Sequence, residues 1–227
     1  MMSAANTSIT SGNKNKQKRS QITYDALIET CFEMLEQREF DEISIAELAR
    51  KAGYSVGAFY ARFKSKDELF DAMIQRHIEQ RRTVRARQFA NEPDESLVRE
   101  IVQETVRYFW RRRRFWRAAL IRSISDSEFW QPIRGMSHEL QDAFIERMKA
   151  RAQRPLTKDE QTNVRFAVQL VLGTVNNTII NRPGPIFMGQ ASFVDGLVRA
   201  FNLVSGYTDA LPAPPSSQLA KKRDEAR

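Results

Sequence analysis

The chain has 227 residues, 41% hydrophobic and 28% charged, the proportions of an ordinary globular protein long enough to bury a sizeable core. Its 36 Lys and Arg against 28 Asp and Glu leave a formal net charge of +8, which favours a polyanionic partner. Cys31 is the single cysteine, so an intrachain disulfide is excluded and a reducing compartment suits the chain; no apolar run reaches the length of a membrane span, and neither a membrane partner nor a signal peptide is expected.

In chain order, residues 1–20 are rich in Ser, Asn, Thr and Lys and lack apolar periodicity, which predicts a disordered tail. Its basic end, Lys14, Lys16, Lys18 and Arg19, is either a phosphate or minor-groove contact or simply a solubilising segment. Residues 21–67 read as a three-helix unit. Cys31 sits among Phe32, Met34 and Leu35 of its first helix and is expected to be a small core side chain. Ser44 and Glu47 form an S-x-x-E capping box, and Ile45, Leu48, Ala49 and Ala52 follow at helical spacing. Gly53 is placed to end that helix in a left-handed conformation. Ser55 caps a second short helix with Val56, Phe59 and Phe63 on its inner side, and Ser65 with Glu68 caps a third. Two helices around a glycine turn are the pattern of a helix-turn-helix, which lays its second helix in a DNA major groove.

The run AGYSVGAFYARFKSKDELF, residues 52–70, resembles the signature of the tetracycline-repressor (TetR) family of bacterial transcription regulators, as do Leu27 to Leu35, Phe40, Asp41, Ser44 and Ile45 upstream. The resemblance covers roughly residues 22–75. Two departures stand out: Glu39 replaces a usual glycine, and Ala58 a common threonine, which removes one hydroxyl from the DNA face. The expected fold is therefore all-α, an N-terminal helix-turn-helix domain followed by a larger helical ligand-binding and dimerisation domain over 68–208. The expected function is that of a cytoplasmic bacterial homodimer that binds double-stranded DNA at a palindromic operator. It is expected to be a repressor released from that operator by a small-molecule effector of unknown identity.

Candidate DNA contacts follow from position and chemistry. Ser44, Ser55 and Lys66 lie at helix starts, where hydroxyls or an ammonium meet phosphate alongside the free amides. Tyr60 packs its ring beside Phe59 and offers its hydroxyl. Gly57 permits close backbone approach, while Val56, Ala58 and Ala61 present apolar surface suited to thymine methyls. Arg62 is the one strong donor, to guanine or phosphate, and Lys64 is either a contact or solvated.

Residues 68–208 have helical periodicity throughout. A helix from Leu69 carries a basic face (Arg76, Arg81, Arg82, Arg85) and is broken at Asn91–Pro93; Leu97 to Phe109 form a broad apolar surface. Helices from about Phe115 to Ile124 and from Phe129 to Met148 come next, the latter with Pro132 near its start. The last two helices, around Val164–Ile179 and Phe193–Val204, correspond in the resemblance to a four-helix dimer interface. Val168, Leu172, Val175, Ile179, Val194, Leu197 and Phe201 are its expected residues; the alternative is that these faces complete the subunit's own core. Candidate effector-pocket residues are Thr105, Tyr108, Phe109, Trp110, Trp116, Arg117, Asn176 and Asn177. In the run Arg111–Arg114 consecutive side chains cannot all point inward, so these arginines are expected at the surface. Residues 209–227, with three prolines and a basic cluster, read as a flexible tail.

Two other classes compete. His77 and His138 stand on separate helices with no metal-ligand spacing, Cys31 has no neighbouring histidine, and no glycine-rich phosphate loop is present. A helical enzyme is thus the weaker alternative, and no cofactor or metal is expected. A non-specific nucleic-acid-binding protein acting through charge is the other; it would discriminate poorly between sequences.

Overall fold

The computed structural model describes the backbone of residues 6–207 and the side chains of residues 17–207; the C-terminal stretch 209–227, residues 1–5, and the side chains of Lys14 and Lys16 lie outside the described residues. Among the described residues the fold is all-α, with no strand. The helices are α1 (Asn6–Met34), α2 (Ile45–Lys51), α3 (Val56–Tyr60), α4 (Lys66–Asn91), α5 (Asp94–Arg111), α6 (Arg113–Ser125), α7 (Gln131–Ala152), α8 (Lys158–Asn181) and α9 (Ala191–Ser205), with a single 3-10 turn at Phe40–Glu42. α1 begins inside the stretch 1–20 whose composition predicts disorder. Its polar residues extend a helix already nucleated by the packed segment after Gln21, and extension needs no new nucleus.

Local chemistry accounts for most helix ends. Ser44, Ser55 and Ser65 each accept from the amide three residues on, at 3.2, 3.1 and 3.1 Å. The reciprocal half of the two expected capping boxes is absent. Glu47 turns to Arg38 instead, and Glu68 reaches one residue further back, to the amide of Lys64. A complete box does form at α8, where Thr157 Oγ1 accepts from the Glu160 amide and Glu160 accepts from the Thr157 amide at 2.7 Å. Gly53 adopts φ 81°, and α2 ends in a Schellman motif: Tyr54 N donates to Ala49 O at 2.8 Å and Gly53 N to Arg50 O at 3.1 Å. Pro132 falls in the first turn of α7, where its missing amide costs nothing.

By compactness the described chain forms two units that are not contiguous stretches: one runs to Glu79 and takes in Arg111–Phe129, the other comprises Gln80–Trp110 and the chain from Trp130. The first unit is thus larger than the three-helix segment 21–67, because α6 joins it. Its core holds Leu27, Ile28, Cys31, Phe59, Phe63, Leu69, Phe70 and, from α6, Phe115 and Trp116. The Phe115 ring lies 5.1 Å from Phe32 and 5.2 Å from Phe70. Burial pushes the Cys31 thiol up to about 12, so it stays protonated and apolar in character.

The second unit is built from α5, α7, α8, α9 and the later part of α4. α8 and α9 pack closely on each other. This changes the reading of the last two helices. Val168, Val175, Leu197 and Phe201, expected at a dimer interface, are buried inside the single chain, with Phe201 4.7 Å from Phe144 of α7. Leu172, Ile179 and Val194 are half-buried. The open apolar side chains on these helices are different ones: Phe166, Ile180 and Leu203 are 53%, 40% and 79% exposed. Apolar periodicity shows that a helix has an inner face, but when a helix is apolar on two sides it does not show which side meets the chain's own core.

Candidate nucleic-acid interface and ligand cavity

The short helix α3 is held at both ends and open along one side. Ser55 fixes its start through the Ala58 amide, and Phe59 and Phe63 anchor its inner side, with Phe63 5.0 Å from the Tyr24 ring of α1. Opposite lie Ser55, Val56, Gly57, Tyr60 and Ala61, all exposed, with Tyr60 55% accessible. Ala58 is half-buried. Of the expected DNA contacts, the structure therefore places Ser44, Ser55, Val56, Gly57, Tyr60, Ala61 and Lys64 at the surface. The exposed Arg50 and Lys51, in the last turn of α2, add charge close to the turn; their place just before Gly53 was a signal in the sequence.

Two of the expected contacts have internal partners. Arg62 is half-buried and donates from Nε to Ser20 O at 3.2 Å and from Nη1 to Ala61 O at 3.0 Å. Much of its guanidinium is thus a tether between α3 and α1. Lys66 donates to the carbonyl of Phe40 and lies 4.3 Å above the Phe40 ring. Burial lowers its pKa, opposed by Asp41. One of three ammonium donors is used in that bond, which leaves others for an anion.

The position where glycine was expected is also explained. Glu39 has φ −73° and ψ 154°, ordinary extended backbone that needs no glycine. Its amide donates to Glu42 Oε2 at 3.0 Å, and its carboxylate lies 3.5 Å from Arg114 Nε. Arg114 also bonds the carbonyl of Glu36, and Arg112 stacks 3.9 Å from the Phe32 ring. Half of the arginine run thus holds α6 to α1 and the turn after it, rather than facing water.

The candidate effector residues divide between the two units. Thr105 is buried on a cavity of only about 20 Å³ with Ile101, Leu140 and Phe201. Tyr108 is half-buried under the Arg81 guanidinium, Phe109 is buried, and Trp110 is 42% exposed. Trp116 and Arg117 belong to the first unit, the former fully buried against His77 and the latter exposed near Glu39. Asn177, exposed, accepts from Asn181 at 2.7 Å, while Asn176 is half-buried.

A larger cavity, about 200 Å³, lies elsewhere, between α4 and α7. Arg85 is among its lining residues, 9% exposed, and its Nε and Nη1 are buried with no acceptor from the described residues. Burial, and then the charge of Arg81, lower the Arg85 pKa to about 10. In the sequence Arg85 falls on a basic face with Arg76, Arg81 and Arg82. The missed signal is the spacing Ile74, Ile78, Arg81, Arg85, in which two arginines continue the buried stripe of α4.

Comparisons with known proteins agree with this geometry. Residues 27–73 match the family of bacterial regulatory proteins described as tetR. An uncharacterised HTH-type transcriptional regulator of Bacillus subtilis (strain 168), YwcC, is 36% identical over 64 residues, 28% of this chain; the match spans only 29% of that relative. Among solved structures, a transcriptional regulator from Rhodococcus sp. Rha1 aligns with TM-score 0.62 at 14% identity, over 83% of this chain and 99% of its own. FadR from Bacillus subtilis, solved with stearoyl-CoA, aligns with TM-score 0.58 at 14% identity, over 81% and 98%. At such identities the structural likeness speaks for the fold.

Proposed function

We propose that this chain, which belongs through residues 27–73 to the tetR family of bacterial regulatory proteins, is a sequence-specific DNA-binding repressor that acts as a homodimer and is released by a small ligand. The observation that carries this reading is the exposed strip Ser55, Val56, Gly57, Tyr60 and Ala61 on a short helix fixed at both ends, inside the matched segment. Gly57 has no Cβ, and Ser55 Oγ stands 3.7 Å from where one would be, an ordinary contact, so the strip is open to close approach. Val56 and Ala61 suit thymine methyls; Ser44, Ser55, Tyr60, Lys64 and Lys66 supply phosphate contacts.

One such helix is too short to give operator affinity alone, which favours a two-fold dimer reading two half-sites one helical turn apart. Phe166, Leu170, Gly173, Asn177 and Ile180 recur at intervals of four and three on one side of α8 and are exposed or, for Leu170, half-buried. That stripe, with Leu203 of α9, is the surface assigned to the second subunit. α4 is continuous from Lys66 to Asn91 and supplies residues to both compact units, so a ligand near its later turns can bias the spacing of the recognition helices. A member of the same fold solved with stearoyl-CoA supports ligand control in general.

Selection of bound duplexes from a random library tests the reading. A two-fold symmetric site with half-sites about ten base pairs apart is expected. Recovery of no consensus would favour the charge-only class. That alternative has the net charge of +8 in its support, but charge alone does not call for a capped, exposed α3.

A further inference from the structure

We propose that the cavity between α4 and α7 binds a small apolar carboxylate, whose charge is taken by Arg85. The walls are Ala86, Phe89, Met136, Leu140 and Ala143, all apolar. Arg82 and Glu139 border it, paired with each other at 2.8 Å from Nε to Oε2, and both are largely exposed. The hydrogen bond from Arg82 holds the Glu139 carboxyl below its usual range, so this carboxylate is charged and engaged. Arg81, 4% exposed, is likewise paired through both terminal nitrogens with Glu104.

The charge balance of this cluster is therefore uneven. Three guanidiniums, Arg81, Arg82 and Arg85, face two carboxylates, Glu104 and Glu139, and each carboxylate is already bonded to another arginine. Arg85 Nε and Nη1 are buried with no acceptor among the described residues. A buried guanidinium in apolar surroundings is costly unless paired, and an arginine does not escape by losing its proton at neutral pH. A monoanion in the cavity would complete the balance. Among monoanions a carboxylate fits the planar fork of the guanidinium, and the surrounding carbon surface calls for an apolar body behind it. A phosphate dianion would exceed the single uncompensated charge.

Binding itself does not depend on the regulatory reading; the consequence of binding does, since it rests on α4 linking the cavity to the DNA-binding unit. Hexanoate and benzoate are the probes, with hexanamide and benzamide as uncharged controls, titrated into the full chain without DNA by calorimetry and thermal shift. The carboxylates are expected to bind and raise Tm, and the amides to bind at least about tenfold more weakly. Arg85→Met should abolish carboxylate binding yet unfold at or above the wild-type temperature, because it removes an unpaired buried charge. Ala143→Leu, which leaves the guanidinium and fills the space, should also abolish it. Equal binding of amide and carboxylate, undiminished binding to Arg85→Met, or no binding of either carboxylate would overturn the proposal. Repeating the titration with a bound duplex separates the two readings. Carboxylate binding without any change in DNA affinity would refute the regulatory role alone; intact DNA binding with no carboxylate binding would refute the cavity assignment alone.

Discussion

Arg62 reaches back from the end of α3 and donates from Nε to the Ser20 carbonyl of α1, 3.2 Å away and 42 positions earlier in the chain. The charge expected to read a base or a phosphate is thereby used in part to set α3 on α1. Arg62→Lys keeps the charge but loses the fork. Urea unfolding should show a loss of about 1 kcal/mol, the usual worth of such a bond. In Arg62→Met, which removes the charge, the salt slope of DNA binding should stay at the wild-type value; a slope lower by about one would return Arg62 to the phosphate contacts.

Tyr60 and Lys66 should separate cleanly. Tyr60 is 55% exposed and rests edge-on against Phe59, so Tyr60→Ala should leave Tm nearly unchanged while DNA affinity falls about tenfold. Lys66→Ala removes the bond to Phe40 O and the cation over its ring, and should lower both stability and affinity. Its salt slope should fall by about one unit if the remaining donors meet a phosphate. Anisotropy at several salt concentrations, beside thermal unfolding, checks both variants.

Gly53→Ala tests the turn between α2 and α3. At φ 81° an L side chain meets backbone strain, although nothing stands within 4 Å of the added carbon. A loss of about 1–2 kcal/mol is expected by chemical denaturation, with Gly53→Asn costing less because asparagine tolerates the left-handed region. A neutral alanine would mean that the turn relaxes freely.

Cys31 should be inert to a thiol reagent at pH 8 in the folded protein and reactive once unfolded, since it is wholly buried and its pKa is raised to about 12 by burial. The sign is that of an acid held protonated by the fold. Its contribution is fully present below the unfolded value near 9, and declines as pH rises from there through 12. Cys31→Ala should remove that part of the alkaline loss. Rapid labelling of the native protein at pH 8 would show that the first unit opens readily.

Phe166→Glu and Leu203→Glu should turn a dimer into a folded monomer in light scattering, with Tm little altered. Val168→Glu should unfold the protein instead, because Val168 is 2% exposed within its own subunit. A dimer that survives both surface substitutions would place the interface elsewhere.

What the sequence made legible was what depends on neighbours within a few positions. The serine caps, the left-handed Gly53, the break at Pro93 and the open side of α3 are all local, and the structure shows each of them. Contacts between distant residues were not legible. Glu47 finds Arg38 rather than completing its box, and Arg112 and Arg114 turn to α1 because α6 packs there. Four of the seven residues expected at the interface, Val168, Val175, Leu197 and Phe201, are core because α8 and α9 pack on each other and Phe201 on Phe144. Arg85 was hidden by its charge: an arginine on a basic helix face looks solvated until the continuation of the Ile74–Ile78 stripe is followed to it.

The most direct test of the account is fluorescence anisotropy of the full chain on the duplex upstream of its own gene and on a scrambled duplex, at near-physiological salt, with Tyr60→Ala measured alongside. Expected are tight binding of two subunits per site on the upstream duplex, at least about a thousandfold weaker binding to the scrambled one, and about tenfold weaker binding of the upstream duplex by Tyr60→Ala. Equal, salt-sensitive binding to both duplexes, unaffected by Tyr60→Ala, would contradict a sequence-reading α3 and leave only the attraction of a basic protein for DNA.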